Sequence, residues 1–337
     1  MDEMELTVGR MVREGKGILA ADESLPTIAR RFAQFGIESN EENRRSYRSL
    51  LFSAPDIDQY ISGVILFEET LKHRDEKGMP LPELLSSRGI VPGIKVDKGT
   101  VPLANSPGDK ITEGLDGLSA RLANYKMQGA RFAKWREVYA IGERNPSAIA
   151  IDANAEMLAR YAAICQEEKI VPIVEPEVLI DGGHSMERCL DVTEAVLHAV
   201  FHALHRHGVI LECMLLKPSM ILPGKDFLPR ASPDRVAEST LKVLKRTVPA
   251  AVPSINFLSG GQGPEEATAN LNAMNALFPN PPWALSFSYG RALQSTALEA
   301  WGGKKEHSQK MQDAFLKRAK LNGLARSGKY GPELEAE

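Results

Sequence analysis

The feature that most constrains this chain is a repeated unit. A short apolar run, rich in Val and Ile, closes on a charged or anion-binding residue and gives way to an amphipathic stretch. The runs are GILAADES from Gly17, GVILFEET from Gly63, VPGIKVDK from Val91 and FAKWREVY from Phe132. They continue with VPIVEPEVL from Val171, ECMLLKPSM from Glu212, VPSINFLSG from Val252 and WALSFSYG from Trp283. Each is too short for an independent helix and apolar at its start, as a strand buried on both faces should be. Helical periodicity lies between them. Ala153 to Glu168 carries Ala155, Leu158, Ala159, Ala162 and Ala163 at near 3.6-residue spacing, Ser185 to His207 stops at Gly208, and Glu265 to Leu277 follows Pro264.

Eight strands alternating with helices predict an α/β chain folded as a (β/α)8 TIM barrel. The expectation is a single domain over residues 1–337, with short extensions and a C-terminal tail from about residue 320. The alternative, an open doubly wound sheet, gathers its ligand contacts at one crevice. Here polar residues close nearly every run: Asp22, Glu68 and Glu69, Lys95 to Lys98, Lys134 and Arg136, Glu175 and Glu177, Lys217, Ser259 and Arg291. Charge late in an apolar strand is costly unless it faces a shared polar pocket, and the C-terminal mouth of a barrel is one.

Composition narrows the function class. Lys and Arg total 41 against 44 Asp and Glu, a net charge of −3, and there is no long basic block. A nucleic-acid partner is not expected. The longest uncharged stretch, Ala267 to Gly290, is broken by Pro279, Pro281 and Pro282, so no membrane span is expected. The N-terminus has no signal-peptide apolar core, and Cys165, Cys189 and Cys213 have no CxxC spacing. Both fit a reduced, cytoplasmic protein with its cysteines packed as small hydrophobes.

Three lysines at strand ends carry the chemistry. Lys217, in LLKPSM, sits on an apolar strand, where desolvation lowers a lysine pKa and nearby cations such as Lys134 and Lys95 lower it further. An uncharged amine attacks carbonyls and forms a Schiff base. Glu175 and Glu177 are two residues apart on a strand, hence on one face, where mutual repulsion should raise one pKa and leave a proton donor. Asp22 ends the first run and reads either as a base or as a helix N-cap. SGGQG at Ser259 to Gly263 lets backbone N–H groups approach an anion, and Gly290 and Arg291 open the helix after the eighth strand. The ends of strands seven and eight are the usual phosphate site of such barrels.

Two motifs point elsewhere. His198, His202 and His205 share a helical face at metal-ligand spacing, but on an outer helix away from the strand ends. HRD at His73 to Asp75 mimics a kinase catalytic loop without the motifs that must accompany it. No metal or cofactor is expected.

Taken together, GILAADES, GVILFEET, GIKVDKG, GLDGLSAR, FAKWR, PIVEPEVL, LLKPSM, FLSGGQ, NLNA, WALSFSYGRALQ and AWGGKKE resemble the class I, Schiff-base-forming fructose-bisphosphate aldolases in the family's own order, from about Gly17 to Tyr330. The resemblance implies a barrel that is commonly a homotetramer. It implies reversible cleavage of fructose 1,6-bisphosphate to dihydroxyacetone phosphate and glyceraldehyde 3-phosphate, in glycolysis and gluconeogenesis. By resemblance Lys217 forms the Schiff base and Glu175 handles protons in carbinolamine formation and dehydration. Glu177 and Lys134 tune that site, and Asp22 takes the proton from the hydroxyl beside the breaking bond. Arg136 positions substrate. Ser259, Gly260, Ser288, Gly290 and Arg291 hold the ketone-side phosphate, and Ser24, Thr27, Arg31 and Lys95 lie near the other.

The sequence departs from the animal members in two places. After DES they read TGS where this chain reads Leu25-Pro26-Thr27, so Thr27 supplies the hydroxyl there. They end in a long tail whose terminal tyrosine assists proton transfer to the enamine. Tyr330 belongs to the GKY before that tail and does not inherit the role, which passes to another group such as the substrate phosphate. The competing expectations are the same chemistry on sedoheptulose 1,7-bisphosphate, a metal-dependent aldolase using the histidine stripe, and a non-catalytic scaffold on the same barrel.

Overall fold

In a computed structural model, described for residues 3–336, the eight runs are eight strands of one closed barrel. Met1, Asp2 and Glu337, the ends of the expected 1–337 domain, lie outside the described residues. The barrel strands are β1 (Gly17–Ala21), β2 (Ile61–Leu66), β3 (Val91–Lys95), β6 (Phe132–Tyr139), β7 (Val171–Val178), β8 (Leu215–Leu216), β9 (Ser254–Phe257) and β10 (Ala284–Tyr289). Two further strands, β4 (Thr100–Pro102) and β5 (Lys110–Thr112), form an antiparallel hairpin between β3 and β6. The barrel order is β1-β10-β9-β8-β7-β6-β3-β2, closing on itself, with parallel neighbours throughout.

Helices cover the outside. In chain order α1 to α5 are Glu3–Met11, Leu25–Ala33, Glu41–Ser53, Leu81–Ser87 and Leu118–Met127. After them come α6 to α11, at Ala148–Glu167, Met186–Arg206, Pro233–Thr247, Pro264–Leu277, Arg291–Trp301 and Ser308–Ala325. The three helices read from periodicity are α6, α7 and α9, and residue 320 falls inside α11. Ser147, Ser185 and Ser232 cap α6, α7 and α8 by accepting the N3 amide, as N-cap hydroxyls do.

Strand alternation sorts the side chains into two cores. Leu19, Ala133, Trp135, Val174, Leu216, Phe257 and Phe287 face the helices. The other parity fills the barrel: Ile18, Ile65, Val91, Phe132, Ile173 and Leu215, sealed at the N-terminal end by Met4, Val8 and Met11 of α1. Phe132 sits where Gly93 leaves room; a Cβ at Gly93 would lie 2.2 Å from its ring. Continued upward, this inner parity runs Phe132, Lys134, Arg136 on one strand and Ile173, Glu175, Glu177 on the next. The barrel is thus apolar below and charged above.

All three cysteines are buried and none forms a disulfide. His198, His202 and His205 are exposed on α7, and the described residues contain no cluster of three His, Cys, Asp or Glu arranged to hold a metal. No helix among the described residues is long and apolar enough to cross a membrane.

Candidate active site

Five strands deliver a continuous chain of opposite charges to the mouth. Lys217, just past β8, lies 3.2 Å from one oxygen of Glu175 on β7. The other Glu175 oxygen is 3.3 Å from Lys134 on β6. Lys134 in turn stands 2.8 Å from Asp22, just past β1, and 3.8 Å from Asp97. Asp97 closes the chain with Lys95 of β3, at 2.6 Å. Lys217, Lys134, Glu175 and Asp97 are buried, and the Asp22 side chain is 14% exposed. Desolvating isolated ions costs several kcal/mol each, so these charges persist only because each neutralises a neighbour.

The coupling shows in protonation. Burial alone would raise the Asp22 pKa, but Lys134, and after it Lys217, hold the carboxyl well below the usual carboxylate range. Burial alone would lower that of Lys134, but Asp22, Glu175 and Asp97 hold the ammonium well above the usual lysine range. Of the two readings open for Asp22, the N-cap does not apply, because Ser24 holds the N-cap position of α2.

The paired glutamates separate. Glu175 serves the two lysines, while Glu177 takes Arg136 as its own partner, so each carboxylate has a distinct counter-charge. Arg136 is pushed above the usual guanidinium range against its burial, chiefly by Glu177.

The expected anion-binding elements follow β9 and β10, which lie between β8 and β1 in the barrel order. Ser259 to Gly263 links β9 to α9, with Gly260 and Gly261 at φ +51° and +87°, the left-handed region that glycine adopts without strain. The Arg291 guanidinium lies 3.8 Å from where a Gly261 Cβ would be, and no carboxylate among the described residues pairs with it. Gly290 is the N-cap of α10, and the first amides of a helix are suited to an anion. Ser288, on β10, has a buried hydroxyl with no partner among the described residues. Arg31 of α2 comes within 3.8 Å of a Cβ at Gly290, held there by Glu23. Ser24 and Thr27 share a 3.0 Å hydroxyl contact on the first turn of α2. Arg31 therefore stands beside Gly290, and Lys95 is engaged with Asp97.

Two buried acids escaped the sequence reading. Asp97 lies two residues beyond Lys95, the period that keeps a side chain on one face, and that spacing was a usable signal. Glu23 had none: its role appears only when Gln294 of α10 donates to it at 3.0 Å and Arg31 folds back on it. A third acid, Glu137, faces away from the mouth. It accepts from the Trp135 indole at 2.7 Å and the Thr112 amide at 3.2 Å with no cation beside it, and burial pushes its pKa up to about 7.

A lysine flanked by a bridging carboxylate, beside a cluster of anion donors, matches the geometry of imine chemistry on phosphorylated carbonyl compounds. Comparison with known proteins decides the lineage, since the family model for fructose-bisphosphate aldolase class-I matches residues 3–337. The chain belongs to the class-I fructose-bisphosphate aldolases. Fructose-bisphosphate aldolase C of Homo sapiens is 56% identical over 322 residues, 95% of this chain and 88% of the human one. A probable class 1 aldolase of Xylella fastidiosa is 54% identical over 331 residues, 98% and 99% of the two chains. The aldolase of Plasmodium falciparum, solved in a ternary complex with TRAP and a small-molecule inhibitor, superposes with a TM-score of 0.96 at 50% identity, over 98% of this chain and 95% of that one. Aldolases of this family are lyases, and the TIM barrel expected from the strand count is the fold they share.

Proposed function

We propose that this aldolase cleaves fructose 1,6-bisphosphate reversibly through a Schiff base on Lys217. The observation that carries the reading is the Lys217–Glu175–Lys134–Asp22 chain at the C-terminal mouth of the barrel. Lys217 first passes its ammonium proton to the Glu175 carboxylate, and the freed amine adds to the substrate ketone. Glu175, 3.2 Å away, protonates the carbinolamine hydroxyl, which leaves as water and generates the iminium. Asp22 takes the proton of the hydroxyl beside the breaking bond. That C–C bond breaks, its electron pair moves into the iminium as an enamine, and the aldehyde departs. The enamine carbon then takes a proton, and water releases the ketone and Lys217.

Lys134 governs the middle step. An aspartate pinned by an ammonium is a poor base. Lys134 has two other acceptors, Glu175 at 3.3 Å and Asp97 at 3.8 Å, and a small shift toward them frees Asp22 to accept the proton. Arg136, held by Glu177, positions substrate. Ser259, Gly260, Ser288, Gly290 and Arg291 take the ketone-side phosphate, and Ser24, Thr27 and Lys95 serve the other together with Arg31, which reaches it from beside Gly290.

Family membership supports the surrounding readings: a role in glycolysis and gluconeogenesis, a homotetramer, a cytoplasmic location, and one domain over 1–337 whose tail begins near residue 320. Borohydride reduction in the presence of dihydroxyacetone phosphate tests the mechanism. Mass spectrometry should find the adduct on Lys217 and lose it in Lys217→Met; an adduct that survives that substitution refutes the assignment.

A further inference from the structure

Behind the glycine loop, on the outer face of the barrel, lies a cavity of about 600 Å³ between the start of α9, α10 and α11. Its volume falls in the ordinary range for small-molecule sites. At its wall is Arg318 of α11, only 3% exposed and with its Nε–H unpartnered among the described residues. The buried Thr296 hydroxyl, also on the lining, is unpartnered too.

The chain occupies this cationic spot with its own C-terminal segment. One Arg318 nitrogen donates to both oxygens of Glu335, at 2.6 and 2.7 Å, and Tyr330 donates its hydroxyl to the same carboxylate at 2.9 Å. Lys317 donates to the Glu335 backbone carbonyl. Besides Glu335, the acids on the wall are Glu265 and Glu266, and Glu266 is paired with Arg230 at 3.1 Å. With Glu335 gone, Lys317 and Arg318 face Glu265, the wall acid that has no ion-pair partner among the described residues.

We infer that Arg318 is an anion receptor for small phosphate monoesters, which the C-terminal segment keeps filled with Glu335 until a ligand phosphate displaces it. Arginine donors suit carboxylate and phosphate oxygens alike. The remaining cavity holds the organic part, with Thr296 offered to its polar groups. The receptor is coupled to the loop after β9: its other terminal nitrogen donates to the Pro264 carbonyl, at 2.9 Å, and to Thr268, fixing the first turn of the helix that the loop enters. The site is separate from the mouth and does not depend on the reaction assigned there.

Equilibrium dialysis of radiolabelled inorganic phosphate tests it, on an Arg291→Ala background that weakens the mouth site. Removing residues 332–337, or Glu335→Gln, should create a saturable site of one phosphate per chain, at least ten-fold tighter than any the parent retains. Adding Lys317→Met should weaken that site, as should Arg318→Met if circular dichroism shows it folded. A truncated chain that binds no more phosphate than its parent overturns the inference, and so does new binding that ignores both cation substitutions.

Discussion

The Nζ of Lys134 lies 2.8 Å from the carboxylate of Asp22, joining β6 to the end of β1 across the barrel interior. Lys134 is the cation that neutralises both Asp22 and one oxygen of Glu175.

Lys134→Met should therefore damage stability and turnover together. Removing one member of a buried ion cluster leaves its partners uncompensated, a loss of about 3–5 kcal/mol. The turnover number should fall on the order of 10²–10⁴-fold, the range of general acid–base catalysis. Chemical denaturation and steady-state rates measure the two. The pH sign also follows. The depressed Asp22 contributes stability above the ordinary carboxylate pKa of ~3.9, lost as pH falls through its lower folded value. The raised Lys134 contributes below ~10.4, lost as pH rises through its higher folded value. Between about pH 5 and 9 neither changes charge, so any limb of the rate profile in that window belongs to another group.

Glu137 behaves oppositely. Its pKa rises from 4.5 to about 7, so it contributes stability in full below 4.5, and that contribution declines as pH rises toward 7. The swing is on the order of 3 kcal/mol. Glu137→Gln keeps an acceptor for Trp135 and Thr112 and abolishes the slope. Melting curves should show the variant more stable than the parent at pH 8 and close to it at pH 4.5.

Arg291→Ala should raise KM for fructose 1,6-bisphosphate by about 10–100-fold, the scale of a lost charge-assisted hydrogen bond of ~1.5–3 kcal/mol. Fructose 1-phosphate should suffer equally, because the phosphate concerned is the one on the ketone side. An effect confined to the bisphosphate would move Arg291 to the other phosphate.

Turnover should survive EDTA in full, as should turnover of His202→Ala. Loss of activity in EDTA, restored by a divalent metal, would replace the imine mechanism.

The fold was legible because barrel strands are short, apolar and punctuated by charge, and every run so marked became a barrel strand. The inward positions of Lys134, Arg136, Glu175 and Glu177 followed from period two. Partner choice did not. Repulsion between Glu175 and Glu177 looked decisive in one dimension, but Arg136 and the two lysines arrive from neighbouring strands and give each acid its own cation. Glu23 was invisible for a related reason: its partners, Arg31 and Gln294, are eight and 271 residues away.

The α1 seal beneath the barrel also governs traffic. With Met4, Val8 and Met11 closing the floor and Phe132, Ile173 and Leu215 filling the space under Lys217, the barrel is packed shut at that end and ligands meet Lys217 from the mouth. Substrate and both products share it. In the mechanism proposed for Lys217 the covalent tether makes the aldehyde leave first, and the apolar stopper at the far end keeps that exchange at the charged mouth.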